Sequence, residues 1–158
     1  MKDDTSVAYM ERTRAYYAAQ GYDKPYIWSH FDDIPFTRPR RELSDCTVTI
    51  VTTSMPDASY RKEHRRLYIG DLGNPPESFF TGDLSWDRDA THTDDRDSYF
   101  PVRELERRVA AGELGRLAPR FYCVPTQYSQ RHTIERDAPA IVAACVEDAV
   151  DVALLVPL

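Results

Sequence analysis

The chain has 158 residues, of which 42% are apolar and 29% charged, and its formal net charge is -6. These values are typical of a globular protein with room for one substantial core. The acidic balance argues against a surface for nucleic acid or anionic membranes. No apolar stretch approaches the ~20 residues of a membrane-spanning helix, and no signal-peptide pattern follows Met1. We therefore expect a cytoplasmic protein that binds neither nucleic acid nor membrane.

Residues 1–45 are expected to form a helix followed by a docking arm. The pattern predicts a helix over residues 7–20 that ends at Gly21, because glycine is favoured just after a helix. Residues 22–43 contain three prolines and five aromatic residues. This composition predicts an extended arm whose rings dock on the remaining domain or on a second subunit.

Residues 46–158 are expected to form an α/β domain. The β-branched run at 46–53 predicts the clearest strand, and residues 79–86 are a candidate for the second. Residues 59–69 are ambiguous, and residues 72–77 read as a loop rich in glycine and proline.

The second half of this domain alternates strands with helices. Residues 101–111 predict a helix that stops at Gly112, and Asp137 is expected to cap a helix that runs to residue 149. Strands are predicted at 117–124 and 150–158, and the latter is so apolar that we expect an interior strand buried on both faces. This alternation predicts a three-layer, doubly wound, mostly parallel sheet of the flavodoxin or Rossmann type.

In such a sheet, ligands bind beyond the carboxyl ends of the strands. Thr53 and Ser54 follow the first strand, where hydroxyl and N–H groups can bind a carboxylate or phosphate. The alternative is that Ser54 only caps a turn. Ser129 and Arg131 lie in a loop after a later strand, where Arg131 can hold a carboxylate in bidentate fashion. No glycine-rich nucleotide-binding motif is present.

The polar stretch at residues 87–98 contains a candidate catalytic pair. His92 with Asp94 or Asp95 can act as a base and its orienting group, or can bind a divalent metal if other ligands come from elsewhere. Equally, His92 can bond to the backbone while the aspartates pair with arginines or with water.

The three cysteines are widely spaced and form no CxxC motif, which predicts free thiols rather than a zinc or dithiol site. We expect Cys123 to be a buried apolar residue rather than a nucleophile. The other two cysteines are Cys46 and Cys145.

Several segments in order resemble the selenoprotein B component of glycine, sarcosine and betaine reductases, a family related to the selenoprotein subunit of D-proline reductase. The resemblance covers most of the chain, although no single motif decides it. The similar segments are residues 9–17 (YMERTRAYY), 21–26 (GYDKPY), 30–36 (HFDDIPF), 51–53 (VTT), 92–95 (HTDD) leading into 99–105 (YFPVREL), 112–118 (GELGRLA) and 150–157 (VDVALLVP).

The resemblance implies a selenocysteine-dependent or cysteine-dependent reductase that cleaves a C–N bond. In the family, the last strand delivers a selenocysteine or cysteine nucleophile, whose low pKa gains from a helix N-terminus. This chain ends at Leu158 without that residue. We expect a truncation at a UGA selenocysteine codon rather than a true end, because a central parallel strand normally has a covering helix after it.

Strand-end position and family likeness together predict the site. We expect His92 and Asp95 to be catalytic, and expect no metal and no cofactor other than the selenocysteine. The expected partners are a small-molecule substrate and either partner reductase subunits or further copies of the chain. The residues expected to bind substrate are Thr53, Ser54, Ser129 and Arg131.

Two other functions stay open. One is a non-catalytic domain that binds a small molecule or a subunit, with the aromatic arm at 22–36 as its interaction surface. The other is a metal-dependent hydrolase built on His92 and the neighbouring aspartates.

Overall fold

The computed structural model describes residues 8–22, 24, 30–34, 37–57, 59, 66–82, 89–90, 92–126 and 130–158. The chain divides into two compact units, residues 1–36 and 37–158. No helix of these described ranges is both long and apolar enough to cross a membrane.

The N-terminal unit contains helix α1, Tyr9–Ala19. The helix ends as predicted at Gly21, whose φ of 85° is the left-handed conformation that glycine adopts without strain. The N–H groups of Gly21 and Tyr22 donate to the carbonyls of Ala18 and Tyr17, which closes the helix end. Tyr26, Trp28 and Phe36 of the expected docking arm lie outside the described residues.

The C-terminal unit is built on a five-stranded, mostly parallel, open sheet. Strand β1 pairs in parallel with β3, β4 and β5, and β2 pairs antiparallel with β4. The carbonyls of Val48 and Thr52 accept from Ala118 and Val124, so β3 and β4 share one edge of β1 and β5 takes the other. The strands are β1 Thr47–Thr52, β2 Tyr68–Asp71, β3 Arg116–Leu117, β4 Arg120–Cys123 and β5 Val152–Val156.

Helix α2, Val102–Ala110, follows the predicted pattern and stops before Gly112, which has a φ of 73°. The helix predicted to start after Asp137 already begins at Gln130. It comprises α3, Gln130–His132, a π-helical turn at Thr133–Asp137, and α4, Ala138–Glu147. Asp137 therefore lies inside a helix: its backbone is helical and its side chain forms no capping hydrogen bond, so the predicted N-cap was wrong.

One face of the sheet carries an aromatic core. Phe121 of β4 stacks near Phe100 and Phe79, with ring centroids 4.8 and 6.3 Å away. Ile50 of β1 and Val102 of α2 belong to the same buried cluster. We call this side the α2 face.

The opposite face carries α4, because successive residues of a strand point to opposite sides. Arg120 of β4 points to this face, where its guanidinium donates to the carbonyl of Ala144 in α4 and to the carboxylate of Asp148. The buried Tyr122 hydroxyl faces the Cys145 thiol of α4. We call this side the α4 face.

Two of the predicted strands differ from those observed. The strand that follows β1 in the described residues is β2, within and just beyond the ambiguous segment. In the predicted range 79–86, the described residues contain an isolated bridge from Phe80 to Met55 and no longer strand, and residues 83–86 lie outside the described part. The strand predicted at 117–124 is split into β3 and β4 at Pro119, whose carbonyl accepts from Leu72 instead.

The expectation that residues 150–158 form an interior strand was wrong. In the described part of the chain β5 pairs only with β1, on the edge opposite β3 and β4, so β5 is an outer strand of the described sheet. Leu155 on one face is 70% exposed and Leu154 on the other is 37% exposed, so neither face of β5 is fully covered. An apolar run without polar alternation indicates a strand, but strand pairing decides whether that strand is central.

Candidate ligand site at the carboxyl ends of the parallel strands

The end of β1 is a buried hydroxyl cluster. Thr52 Oγ1 donates to the carbonyl of Tyr99 at 3.2 Å, and the Ser54 hydroxyl lies 3.1 Å from Thr52 Oγ1. The Ser54 N–H also donates to Thr52 Oγ1, at 3.3 Å. Both side chains are almost fully buried. Ser54 therefore shapes the turn after β1, as the turn interpretation proposed, and its hydroxyl faces the protein interior.

Thr53 joins the ends of β1 and β5. Its Oγ1 accepts from the Leu158 N–H at 2.8 Å and donates to the Leu158 carbonyl at 3.2 Å. The side chain is half-buried. A single hydroxyl therefore fixes the tip of β5 beside the end of the central strand, where it remains next to solvent.

The loop with the predicted catalytic pair is exposed. The side chain of His92 is 70% exposed, and its Nδ1 accepts from the Asp94 N–H at 3.3 Å and lies 3.6 Å from the Asp94 carboxylate. Asp95 instead accepts from the Asp97 N–H and caps the short 3-10 helix Arg96–Ser98. Within the described part of the chain, no hydrogen bond or ion pair joins His92 to Asp95. The predicted roles of both residues remain predictions.

Tyr99 connects this loop to the end of β1. Its hydroxyl donates to the Thr93 carbonyl at 3.3 Å, while its own carbonyl accepts from Thr52. Burial raises the pKa of this hydroxyl, so it stays protonated as the donor at neutral pH. Tyr99 thus binds the loop containing His92 through its hydroxyl and Thr52 through its carbonyl. His92 itself does not reach the hydroxyl cluster.

Arg131, the predicted carboxylate clamp, lies on the protein surface. Arg131 is 74% exposed and lies 4.0 Å from Glu135, one turn along the helix. This is the geometry of a weak surface ion pair. Ser129 lies outside the described residues. The structure therefore brings Thr53 and Ser54 together at one strand end, and shows no contact of Arg131 with either of them.

Asp137, which the sequence pattern assigned to a helix N-cap, is a buried polar residue. It is 9% exposed, and its Oδ2 has no hydrogen-bond partner in the described part of the chain. It lies in the π-helical turn after β4, and such turns are frequent at functional sites. In the sequence, an aspartate near the start of a helix resembles an N-cap. A helical pattern that begins before residue 137 was the signal that could have placed Asp137 inside the helix instead.

Cys123 ends β4 next to the hydroxyl cluster. The residue is fully buried, and this burial raises the pKa of its thiol to about 12. A thiol with so high a pKa is not a nucleophile at neutral pH. This agrees with the expectation that Cys123 is an apolar residue of the core.

The described residues contain no group of three histidine, cysteine, aspartate or glutamate side chains that could hold a metal ion. A cavity of about 470 Å³ lies at the amino ends of the strands instead. It is lined by Arg41, Asp45, Thr47, Gly115, Arg116, Val146, Ala149, Val150 and Asp151.

Comparison with known proteins gives no relative: no family model, no curated protein and no solved structure matches the chain.

Proposed function

We propose that the C-terminal unit is the substrate-binding domain of a reductase of the selenoprotein B type. It would act on a small amine-bearing acid at the carboxyl ends of the parallel strands. The observation that carries the proposal is the pair of hydrogen bonds between Thr53 and Leu158. They hold the tip of β5, the strand that would deliver the nucleophile, against the end of the central strand.

The connectivity supports a doubly wound, flavodoxin-like or Rossmann-like arrangement. From β1 the chain passes through β2 to α2 on one face, and from β4 it passes to α4 on the other. Connections that diverge from adjacent strands open a crevice at their carboxyl ends, where such sheets bind ligands. Thr53 lies at this end of the sheet, and β4 ends beside it at Cys123.

In the proposed reaction, a selenolate or thiolate carried beyond Leu158 attacks the carbon that bears nitrogen. A bond from carbon to selenium or sulfur forms and the C–N bond breaks, so the ammonium group of the substrate leaves as the neutral amine. A dithiol on a partner subunit then cleaves the new carbon–selenium or carbon–sulfur bond. The dithiol is oxidised to a disulfide, the carbon takes up a proton, and the selenolate or thiolate is regenerated. The residues described here would bind and orient the substrate, with Thr53 as the fixed point beside the nucleophile.

The test extends the reading frame beyond codon 158 and places cysteine at the next position. The longer protein, supplied with a dithiol, should release amine from glycine, sarcosine or betaine, and the 158-residue chain should not. Thr53→Val should lower the rate at least tenfold, while Thr13→Val, in the N-terminal unit, should leave it unchanged. Strong activity from residues 1–158 alone would refute the assignment of the nucleophile.

A second candidate is a binding domain without redox chemistry. The specific observation in its favour is that Cys123, the thiol at these strand ends, is buried and protonated at neutral pH. The codon after Leu158 separates the two proposals. An in-frame UGA followed by an open reading frame supports the reductase, and a UAA or UAG supports the binding domain.

A further inference from the structure

Strand β5 presents an uncharged edge. Its sequence, Val-Ala-Leu-Leu-Val, contains no charged or polar side chain. In the described part of the chain only β1 pairs with it, so one edge lacks a partner strand. Leu155 is 70% and Leu154 37% exposed. Proteins usually protect such an edge with charge, proline or a covering segment, because an unprotected edge pairs with another strand.

Helix α4 extends this apolar surface. Leu155 is in register with Val51, which is in register with Tyr122, so all three lie on the α4 face. On that side Val142 is 59% and Val146 74% exposed. Val146 also lines a cavity with Val150 and Asp151, which places this flank of α4 towards the segment that leads into β5. We call Val142, Val146, Ala153 and Leu155 the β5–α4 surface.

The register fixes which backbone groups of β5 point outwards. The even residues of β1 face β3 and β4, so Thr49 and Val51 face β5. Thr49 is in register with Ala153, and in a parallel ladder its bonds go to the two flanking residues. Val152, Leu154 and Val156 therefore direct their N–H and C=O groups to β1. Ala153 and Leu155 direct theirs outwards.

We propose that β5 pairs antiparallel with β5 of a second copy of this chain, about a two-fold axis at Leu154. In this register Ala153 lies opposite Leu155 of the second copy, and both residues offer outward N–H and C=O groups. Leu154 lies opposite itself, in the closely spaced position that has no hydrogen bonds. The two sheets become one continuous sheet.

The strand is suited to its own copy for three reasons. A two-fold interface must be self-complementary, and the small Ala153 faces the large Leu155 twice. No charged residue lies opposite another within the five pairs. Shifting the axis by one residue would place Asp151 opposite Leu155, or Pro157, which lacks an N–H, opposite Ala153. The axis at Leu154 avoids both, and none of this rests on the proposed reductase function.

Sedimentation velocity over a hundredfold range of protein concentration tests the proposal. The wild-type chain should sediment as a dimer. Leu155→Lys should shift the protein to monomer, because pairing would bury a charge at the edge. The matched control is Ile69→Lys on β2, the opposite edge of the sheet, which should remain dimeric. A wild-type chain that is monomeric throughout would overturn the proposal and leave the surface to a different partner or segment.

Cross-linking tests the register even if Leu155→Lys fails to fold. Opposed residues in the closely spaced position have Cα atoms about 4.5 Å apart, which a disulfide can bridge. In a Cys145→Ser background, Leu154→Cys should form a covalent dimer under mild oxidation. Leu155→Cys, which would face Ala153 of the second copy, should form at least tenfold less. Equal yields from the two variants, or none from Leu154→Cys, would refute the two-fold pairing.

Discussion

On the α2 face of the sheet, phenylalanine and tyrosine rings pack in edge-to-face and tilted pairs at centroid distances of 4.8 to 6.3 Å. On the α4 face, the strands instead present threonine, arginine and tyrosine to a helix rich in alanine and valine. The first face is stabilised mainly by removing apolar area from water. The second depends on charge-assisted hydrogen bonds from Arg120, and it leaves apolar side chains at its margin exposed. Substitutions on the two faces should therefore change the free energy of unfolding by different amounts and, in one case, in opposite directions.

The largest effect is expected from Phe100→Ala on the α2 face. Phe100 is fully buried and contacts Phe79 and Phe121. Removing a buried ring leaves a cavity, and the free energy of unfolding should fall by about 3–5 kcal/mol. Urea denaturation followed by circular dichroism measures the change. As control, Leu43→Ala removes a half-exposed side chain and should cost under about 1 kcal/mol. Equal losses would mean that the aromatic cluster is not the core.

Arg120→Met should give the largest effect on the α4 face. Arg120 donates to both oxygens of Asp148, at 2.7 and 2.9 Å, and also reaches Glu147. These bonds raise the pKa of the guanidinium, so it is charged at every accessible pH. Because Asp148 is only 11% exposed, its carboxylate would be left buried without a partner, and we expect a loss of about 2 kcal/mol.

The control for Arg120 is Arg107→Met. Arg107 pairs with Glu104 on the surface of α2 and is 68% exposed, so its loss should cost under about 0.5 kcal/mol. The same urea denaturation measures both variants. If the two substitutions cost the same, the Arg120 network is an ordinary surface ion pair and the α4 face must be stabilised in another way.

The sequence predicted the parts of the fold that local patterns determine. Strand β1 is β-branched, and α1 and α2 end at Gly21 and Gly112, where a positive φ favours glycine. The position of β5 could not be predicted, because it depends on which edge of β1 remains free after β3 and β4 have paired. Its apolar run is compatible with an inner or an outer strand.

The candidate site was predictable only as a location. Parallel strands place their carboxyl ends together, and this was enough to select Thr53 and Ser54. The different roles of the two residues arise from contacts across more than forty residues of sequence: Ser54 contacts Thr52, which bonds to Tyr99, whereas Thr53 bonds to Leu158. Asp137 was misassigned because a π-helical turn has no distinct signal in the residue pattern.

A pair of buried tyrosines should show effects of opposite sign. On the α4 face, Tyr122 is fully buried, and within the described ranges its hydroxyl has no partner at good hydrogen-bond geometry, since the Cys145 thiol beside it is only a weak acceptor. Tyr122→Phe removes this unsatisfied group and should raise the free energy of unfolding by about 1 kcal/mol. On the α2 face, the Tyr99 hydroxyl donates to Thr93, so Tyr99→Phe should lower it by about 1 kcal/mol. Thermal denaturation compares the variants, and a loss on both faces would contradict the assignment for Tyr122.

The smallest effect is expected for alkylation of the buried cysteines of the α2 face in the native protein, which should not react. Burial raises the pKa of Cys123 to about 12 and also raises that of Cys46, so both should resist iodoacetamide at pH 8. Cys145, half-buried in α4, should be modified first, and Cys145→Ser should abolish the native reaction. The raised pKa also affects stability: above pH 9 the Cys123 thiol ionises in the unfolded chain but not in the folded one. Cys123 should therefore lower the free energy of unfolding as the pH rises from 9 towards 12. Mass spectrometry identifies the modified cysteine. Early labelling of Cys123 would place a reactive thiol at the strand ends and undermine the contrast between the two faces.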